Sequence, residues 1–184
     1  MHNADAIALL TPAGGAIEAV REHERSAGTW ADLGCGDGTF THALAAHLAP
    51  GSTIHAMDTD VHALSRLPAE SHGVRIQTHA GDFTRTPWPF TSLDGILMAN
   101  SLHYVREQSA FVARCADALP AHGAFTIVEY DTDTANPWVP YPLSRARLTS
   151  LFHAGGYRHV QLLGTRPSRY GRAQLYAVRI TSRR

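Results

Sequence analysis

Short apolar runs alternate along this chain with segments whose apolar residues recur every three or four positions. The strand-like runs cover residues 30–33, 53–57, 74–78, 93–99, 124–130, 160–163 and 175–180. Helical spacing marks residues 40–48, 60–67, 111–119 and 144–154, most of them between consecutive runs. This alternation predicts an α/β fold in which a parallel sheet is covered by helices on both faces.

The last two strand-like runs are separated only by residues 164–174, a loop too short for a crossover helix. These two strands are therefore expected to pair antiparallel or to leave the pattern. The chain has 184 residues, of which 44% are hydrophobic and 17% charged, which is the size and composition of one globular domain. We expect a single domain over residues 1–184 with seven strands, the seventh reversed.

The composition also indicates in which cellular compartment the protein resides. No run of eighteen apolar residues exists, and residues 1–10 carry Asp5 but no basic residue before their short apolar stretch. The two cysteines, Cys35 and Cys115, are too few for a disulfide framework. These features predict a cytoplasmic protein without a membrane partner.

Charge is segregated along the chain although the formal net charge is zero. Residues 1–133 hold all 16 acidic residues and seven Arg, whereas residues 134–184 hold nine Arg and no acidic residue. The two halves either neutralise each other within one domain or leave a basic face that binds anions.

A glycine-rich turn, residues 31–40, lies between the first strand and the first helix. Gly34, Gly36 and Gly38 permit positive φ and let a ligand lie against bare backbone beside a helix N-terminus. A dinucleotide fingerprint, G-x-G-x-x-G, would place its third glycine at position 39, where this chain has Thr39, so NAD is not expected.

Polar residues follow the next three strands. Asp58 ends the second strand, where a carboxylate can accept both hydroxyls of a ribose. Asp82 follows the third, where it can accept from an exocyclic adenine amine, and Asn100 follows the fourth. All lie at carboxyl ends of strands, the edge at which open α/β sheets bind ligands.

With these motifs in this order, the chain resembles the class I S-adenosylmethionine-dependent methyltransferases. The resemblance rests on residues 32–38, 58, 81–83, 94–100 and 119–123 and spans nearly the whole chain. It implies a Rossmann-like doubly wound sheet in the order 3-2-1-4-5-7-6 with strand 7 antiparallel. It also implies an N-terminal helical segment (1–28), a cofactor-binding core (29–130) and an acceptor-side segment with the last two strands (131–184).

The resemblance further implies S-adenosylmethionine as the cofactor and a role for each motif residue. The residues that would surround its methionine part are those of the glycine turn: Asp32, Gly34, Cys35, Gly36 and Gly38. The ribose would be held after the second strand by Asp58 and Thr59. The adenine would be held after the third strand by Gly81, Asp82 and Phe83, and the amino group would be held after the fourth by the Asn100 carbonyl.

The sulfonium already activates the methyl group, so an SN2 transfer to an O, N or C nucleophile mainly requires alignment. A base is needed only if the acceptor loses a proton. His103 and Tyr104, just beyond the fourth strand, are the catalytic candidates, and Glu129 and Asp131 at the end of the fifth strand are weaker ones. Alternatively, His103 packs against or caps the following helix. No metal is expected, because the histidines lack nearby ligand partners and Asn100 replaces the acid of a catechol-type site.

The acceptor is predicted to be a small molecule. The turn after the fourth strand lacks the Pro-Pro-aromatic run of base-amino methyltransferases, and no Pro-Cys nucleophile is present. Walls would come from the N-terminal segment, from residues 131–142 with Trp138 and Tyr141, and from the loop 165–172. Arg166 and Arg169 of this loop suit a planar acceptor with carboxylate or phosphate. Two alternatives remain: an RNA or protein methyltransferase using the basic third, and a non-catalytic cofactor-binding protein.

Overall fold

The computed structural model describes residues 1–11, 26–168 and 173–183. A 3-10 turn, Leu102–Tyr104, follows β5. The helices are α1 (Asn3–Leu10), α2 (Thr39–Ala45), α3 (Val61–Leu64), α4 (Gln108–Asp117) and α5 (Arg145–Ala154). The strands are β1 (Thr29–Leu33), β2 (Thr53–Asp58), β3 (Glu70–Ser71), β4 (Val74–Ala80), β5 (Gly95–Ala99), β6 (Ala124–Tyr130), β7 (Tyr157–Pro167) and β8 (Gln174–Arg183).

The described strands form one sheet in the order β3-β4-β2-β1-β5-β6-β8-β7. Strands β4, β2, β1, β5 and β6 are mutually parallel, and β8 runs antiparallel to both β6 and β7. The predicted α/β fold and strand order are therefore confirmed for the seven long strands. The reversal follows from the short connection between β7 and β8, which leaves no room for a crossover.

The two-residue strand β3 is an addition to the seven strands predicted. It pairs antiparallel with β4 through the turn His72-Gly73, in which both residues have positive φ, 52° and 74°. Positive φ at both central residues is the geometry of a tight type I′ hairpin turn. Histidine rarely adopts it, so the sequence carried only a weak signal for this hairpin.

Strands β7 and β8 are longer than the runs 160–163 and 175–180. Arg166, predicted to lie in a loop, is instead a residue of β7 and pairs with Leu175. The β7–β8 register shifts between Leu162 and Gly164, where α1 crosses the sheet. A Cβ at Gly164 would lie 3.1 Å from the Leu9 carbonyl oxygen, so glycine allows this close approach.

Both faces of the sheet are covered by apolar packing. Neighbouring residues of one strand, such as Ile96 and Leu97, point into different clusters because side chains alternate along a strand. One cluster includes α4 and α5, and the other includes α1 and α2. Among the described residues, no helix combines the length and hydropathy needed to cross a bilayer.

Candidate functional site

The glycine turn after β1 is held in left-handed backbone conformations. Gly34, Gly36 and Gly38 have φ of 80°, 52° and 81°, which L-residues with a side chain adopt at a cost. The Gly34 and Cys35 N–H groups both donate to the Met57 carbonyl, at 2.8 and 3.2 Å. The turn is thereby fixed to the end of β2, and Gly38 is the N-cap residue of α2.

Asp58 lies against this turn and connects it to the neighbouring strand ends. One carboxylate oxygen accepts from the Gly36 N–H at 2.8 Å, and the other accepts from the Asp60 N–H at 2.9 Å. The Asp58 carbonyl also accepts from the Gly81 N–H at 2.9 Å. The ends of β1, β2 and β4 thus form one hydrogen-bonded edge.

Asp32 is fully buried at the end of β1. The Thr41 hydroxyl donates to its Oδ2 at 2.7 Å, whereas its Oδ1 is buried with no hydrogen-bond partner among the described residues. The pKa of Asp32 is raised to about 7, mainly by burial; the Thr41 hydrogen bond opposes this rise, and the charge of Asp58 adds to it. A buried oxygen without a donor is costly, so this atom suits a ligand that brings one.

Asn100, which follows β5, is strained and also has an unsatisfied oxygen. Its φ is 56°, and its N–H donates to the Val128 carbonyl at 2.8 Å. Its side-chain Oδ1 is buried without a partner among the described residues. Backbone strain combined with an unpaired polar atom is typical of a functional position.

A first cavity of about 510 Å³ opens beside the glycine turn. Among its walls are Asp32, Gly34, Cys35, Gly36 and Asn100, so five of the predicted cofactor residues meet there. A Cβ at Gly36 would meet nothing within 4 Å, which shows that the backbone faces open space. The other lining residues are Met1, Asp5, Asp37, Thr39, Phe40, Ala99, Tyr130, Arg166, Pro167 and Leu175.

A second cavity of about 820 Å³ lies beyond β5 and β6. It shares Asn100 and Tyr130 with the first cavity, so the two spaces adjoin at the carboxyl ends of these strands. Trp138 is 79% exposed and Tyr104 is 52% exposed, and both residues line this cavity. The other lining residues are His103, Thr132, Thr134, Asn136, Val139 and Ala173.

His103 is one of the residues that line the second cavity, and it is otherwise enclosed. The residue is 2% exposed, and its Nδ1 lies 2.6 Å from Oε2 of Glu129, which is 1% exposed. The other Glu129 oxygen accepts from the His103 backbone N–H at 3.1 Å. One buried carboxylate therefore fixes both the backbone and the ring of His103.

Other predicted cofactor residues lie outside the first cavity's lining. Asp82 is half-buried, and its Oδ1 accepts from the backbone N–H and the hydroxyl of Thr84. Phe83 is buried, and its ring would lie 3.2 Å from a Cβ placed on Gly34. Thr59 is exposed next to Asp58. These residues follow β2 and β4, so they lie along the same hydrogen-bonded edge on the side away from the second cavity.

The residues predicted to bind the acceptor do not all lie in one cavity. Trp138 lines the second cavity, whereas Tyr141 does not and instead donates its backbone N–H to the His103 carbonyl at 3.0 Å. Arg166 lines the first cavity and pairs with Asp5 at 2.9 Å. Arg169 lies outside the described residues.

Sequence reasoning gave little weight to Glu129 and treated the N-terminal segment only as a possible wall of the acceptor site. A detectable signal for Glu129 existed, because it is the one charged residue in the apolar run 124–130. Such a residue is rarely buried without a partner. Asp5 carried no local signal, since its contact with Arg166 joins residues 161 positions apart.

Comparisons with known proteins agree with this architecture. A family profile described as a methyltransferase domain matches residues 31–125. A comparison with curated protein sequences finds no match.

Solved structures share the fold at low sequence identity. The Burkholderia thailandensis 1,6-didemethyltoxoflavin-N1-methyltransferase, with its acceptor and S-adenosylhomocysteine bound, has a TM-score of 0.70 and 20% identity, over 99% of this chain and 78% of that chain. The N-terminal domain of EvdMO1 with S-adenosylhomocysteine has a TM-score of 0.63 and 22% identity, over 90% and 79%. YcgJ from Bacillus subtilis has a TM-score of 0.62 and 13% identity, over 91% and 98%.

The profile covers more than half of the chain, from β1 to the start of β6, and includes the glycine turn and the carboxyl ends of β1, β2, β4 and β5. The chain therefore belongs to the methyltransferase-domain family, as its resemblance to the class I S-adenosylmethionine-dependent methyltransferases predicts.

Proposed function

We propose that this protein binds S-adenosylmethionine along the edge formed by β1, β2, β4 and β5 and methylates a small molecule in the second cavity. The observation that carries the proposal is the pair of buried, unpartnered oxygens, Asp32 Oδ1 and Asn100 Oδ1, on the walls of the first cavity. Both are hydrogen-bond acceptors, and the amino group of the cofactor's methionine part is a donor of the matching kind.

Each predicted cofactor residue then has a defined task. Asp32 and the glycine turn would hold the methionine part. Asn100 would accept hydrogen bonds from the amino group of that part through its backbone carbonyl and its side-chain Oδ1. Asp58 would accept from the ribose hydroxyls, and Asp82 with the Phe83 N–H would hold the adenine. When bound, the cofactor supplies a methyl group on a positively charged sulfur, so the chain's own task is to align the acceptor.

The second cavity is the acceptor site in this proposal. It adjoins the first at Asn100 and Tyr130, so a nucleophile in one space can approach a methyl group in the other. The structures with similar folds include a transferase crystallised with 1,6-didemethyltoxoflavin and a domain crystallised in the presence of D-fucose. Small molecules of that size fit a cavity of about 820 Å³.

The charge distribution also favours a small molecule over RNA or protein. Arg166 pairs with Asp5 and Arg147 with Asp133, so the basic third of the chain is partly neutralised by acids of the first 133 residues. Paired arginines contribute less to a surface that attracts phosphates.

Calorimetry tests the cofactor assignment directly. We expect the protein to bind S-adenosylmethionine and S-adenosylhomocysteine and to ignore NAD, and we expect Asp32→Asn to weaken the binding of both sulfur nucleosides. Glu107→Gln, which removes an exposed carboxylate beside Arg106, is the matched control and should leave their affinity unchanged. Binding of NAD without a response to either sulfur nucleoside would disprove the proposal.

A second measurement addresses the acceptor. Release of S-adenosylhomocysteine is followed with pools of small aromatic molecules, with RNA and with protein. Turnover confined to a small-molecule pool supports the proposal, whereas turnover confined to RNA or protein contradicts it. Tight cofactor binding with no turnover on any pool favours the non-catalytic alternative.

A further inference from the structure

We propose that the acceptor is an uncharged, planar molecule with a weakly acidic O–H or ring N–H, and that His103, held by Glu129, removes this proton during transfer. The inference rests on the proposed function, because it concerns the second cavity as the acceptor site. His103 is then a catalytic residue and Glu129 a positioning residue.

The lining of the second cavity determines the charge and shape of the molecule it fits. Among the described residues, the lining includes no Arg, Lys, Asp or Glu. The rings of Tyr104, Tyr130 and Trp138 offer flat apolar surface, and Thr132, Thr134 and Asn136 offer hydrogen bonds at the rim. Arg166, the described arginine expected to bind an anionic acceptor, lies on the first cavity and is paired with Asp5. This environment favours a neutral aromatic ring over an anion.

The hydrogen bond to Glu129 determines which nitrogen of His103 can act as a base. An ionised carboxylate only accepts hydrogen bonds, so with Glu129 ionised the Nδ1 that lies 2.6 Å from Oε2 carries the proton. In the neutral ring, Nε2 then keeps its lone pair. The second Glu129 oxygen accepts from the His103 backbone N–H, which holds the carboxylate in place beside the ring.

The proposed step balances atoms and charge. The acceptor X–H bond breaks, its proton goes to His103 Nε2, and its electron pair forms the new bond to the methyl carbon. The carbon–sulfur pair stays on sulfur, which becomes the neutral thioether of S-adenosylhomocysteine. The positive charge thus moves from the sulfonium to the imidazolium, where the Glu129 carboxylate stabilises it.

The tautomer of His103 is the first test, and it needs neither cofactor nor acceptor. Nitrogen NMR of the full chain is expected to show Nδ1 protonated and Nε2 bare. In Glu129→Gln the new amide N–H₂ group can donate to Nδ1, so the proton should move to Nε2. Glu107→Gln is the control and should keep the original tautomer. A protonated Nε2 in the unsubstituted protein would overturn the proposal.

Binding of matched probes is the second test. We expect 2-naphthol to bind the S-adenosylhomocysteine complex at least about tenfold more tightly than 2-naphthoate, which places a carboxylate on the same ring system. Trp138→Ala should weaken naphthol binding, because it removes part of the aromatic wall. Equal or tighter binding of naphthoate, or binding of neither probe, overturns the proposal. If S-adenosylhomocysteine itself does not bind, the proposed function fails, whereas the tautomer result still stands.

Kinetics with a turned-over O–H acceptor separates positioning from mere stability. Glu129→Gln is expected to lower kcat about a hundredfold with little change in KM, the usual contribution of a positioned base. Glu129→Asp should restore part of the loss, because its shorter carboxylate still accepts from Nδ1. An unchanged kcat in a folded Glu129→Gln protein would rule out the base.

Discussion

Arg166 Nη1 lies 2.9 Å from a carboxylate oxygen of Asp5, and this ion pair joins α1 to β7 at the wall of the first cavity. Both side chains are 37% exposed, so water screens the pair. Next to it, α1 packs closely on Gly164 of β7. The N-terminal helix is therefore positioned mainly by packing, with the ion pair as an addition.

We accordingly expect a small coupling between Asp5 and Arg166. In a double-mutant cycle with Asp5→Ala and Arg166→Ala, the coupling free energy of unfolding should be about 0.2–1 kcal/mol and should shrink at high salt. Denaturant titration measures it. A coupling of several kcal/mol would show that the ion pair, rather than packing, holds α1.

Asp32 should make stability depend on pH. Its pKa is raised from 3.8 to about 7 by burial, so between these values the folded state holds a proton that the unfolded state has lost. The free energy of unfolding therefore falls as pH rises through this window, by up to about 4 kcal/mol at about 1.4 kcal/mol per pKa unit.

Asp32→Asn removes this ionisation and tests the effect. The variant should be more stable than the original protein at pH 8 and similar to it at pH 4, when unfolding is followed by circular dichroism. Asp37→Asn, in the same turn but exposed, is the control and should retain the pH dependence. A variant that loses stability equally at both pH values would contradict the assignment.

Gly34 and Gly36 should respond differently to a methyl group. A Cβ at Gly34 would lie 2.6 Å from Ser101 Cβ, whereas one at Gly36 would enter open space, and both have positive φ. Gly34→Ala is expected to lower the free energy of unfolding by more than the roughly 1–2 kcal/mol that the left-handed backbone costs alone. Gly36→Ala should cost about that amount and weaken S-adenosylhomocysteine binding. Thermal unfolding and calorimetry compare the two variants, and equal stability losses would argue against this turn geometry.

Asp58 should contribute directly to cofactor affinity. Asp58→Ala is expected to weaken S-adenosylhomocysteine binding by about 1–3 kcal/mol, the scale on which ligand hydroxyls lose a charged partner. Since Asp58 also accepts from the Gly36 N–H, Asp58→Asn is the better-matched variant, because its amide oxygen can retain that bond. Unchanged affinity in both variants would place the ribose elsewhere.

Turnover is expected to continue without a divalent metal. The turn after β5 presents Asn100 where a metal-dependent catechol-type site would need an acid. Activity should therefore persist after dialysis against EDTA. Full loss of activity, restored by Mg²⁺, would refute this prediction.

Local pattern was sufficient to predict the α/β sheet and the glycine turn after its first strand. The α/β alternation followed from alternating periodicities, and the reversed last strand followed from one connection too short for a helix; both depend on neighbouring residues. The strand order came from the resemblance to the class I methyltransferases. The glycine turn could also be predicted from the sequence, because positive φ at Gly34, Gly36 and Gly38 favours glycine whatever residues surround it. The helical spacing over residues 60–67 was readable for the same reason, and Asp60 at its start caps α3 by accepting from the His62 and Ala63 N–H groups.

The partners of charged side chains were decided only in three dimensions. Glu129 and His103 are 26 residues apart, and Asp5 and Arg166 are 161 apart, so no local pattern could show which carboxylate each base meets. The hairpin at His72-Gly73 and the extension of β7 past Arg166 likewise depend on contacts with β4 and β8. Backbone periodicity is a short-range property of the chain, whereas the pairing of buried charges and the shape of a cavity depend on which elements the fold brings together.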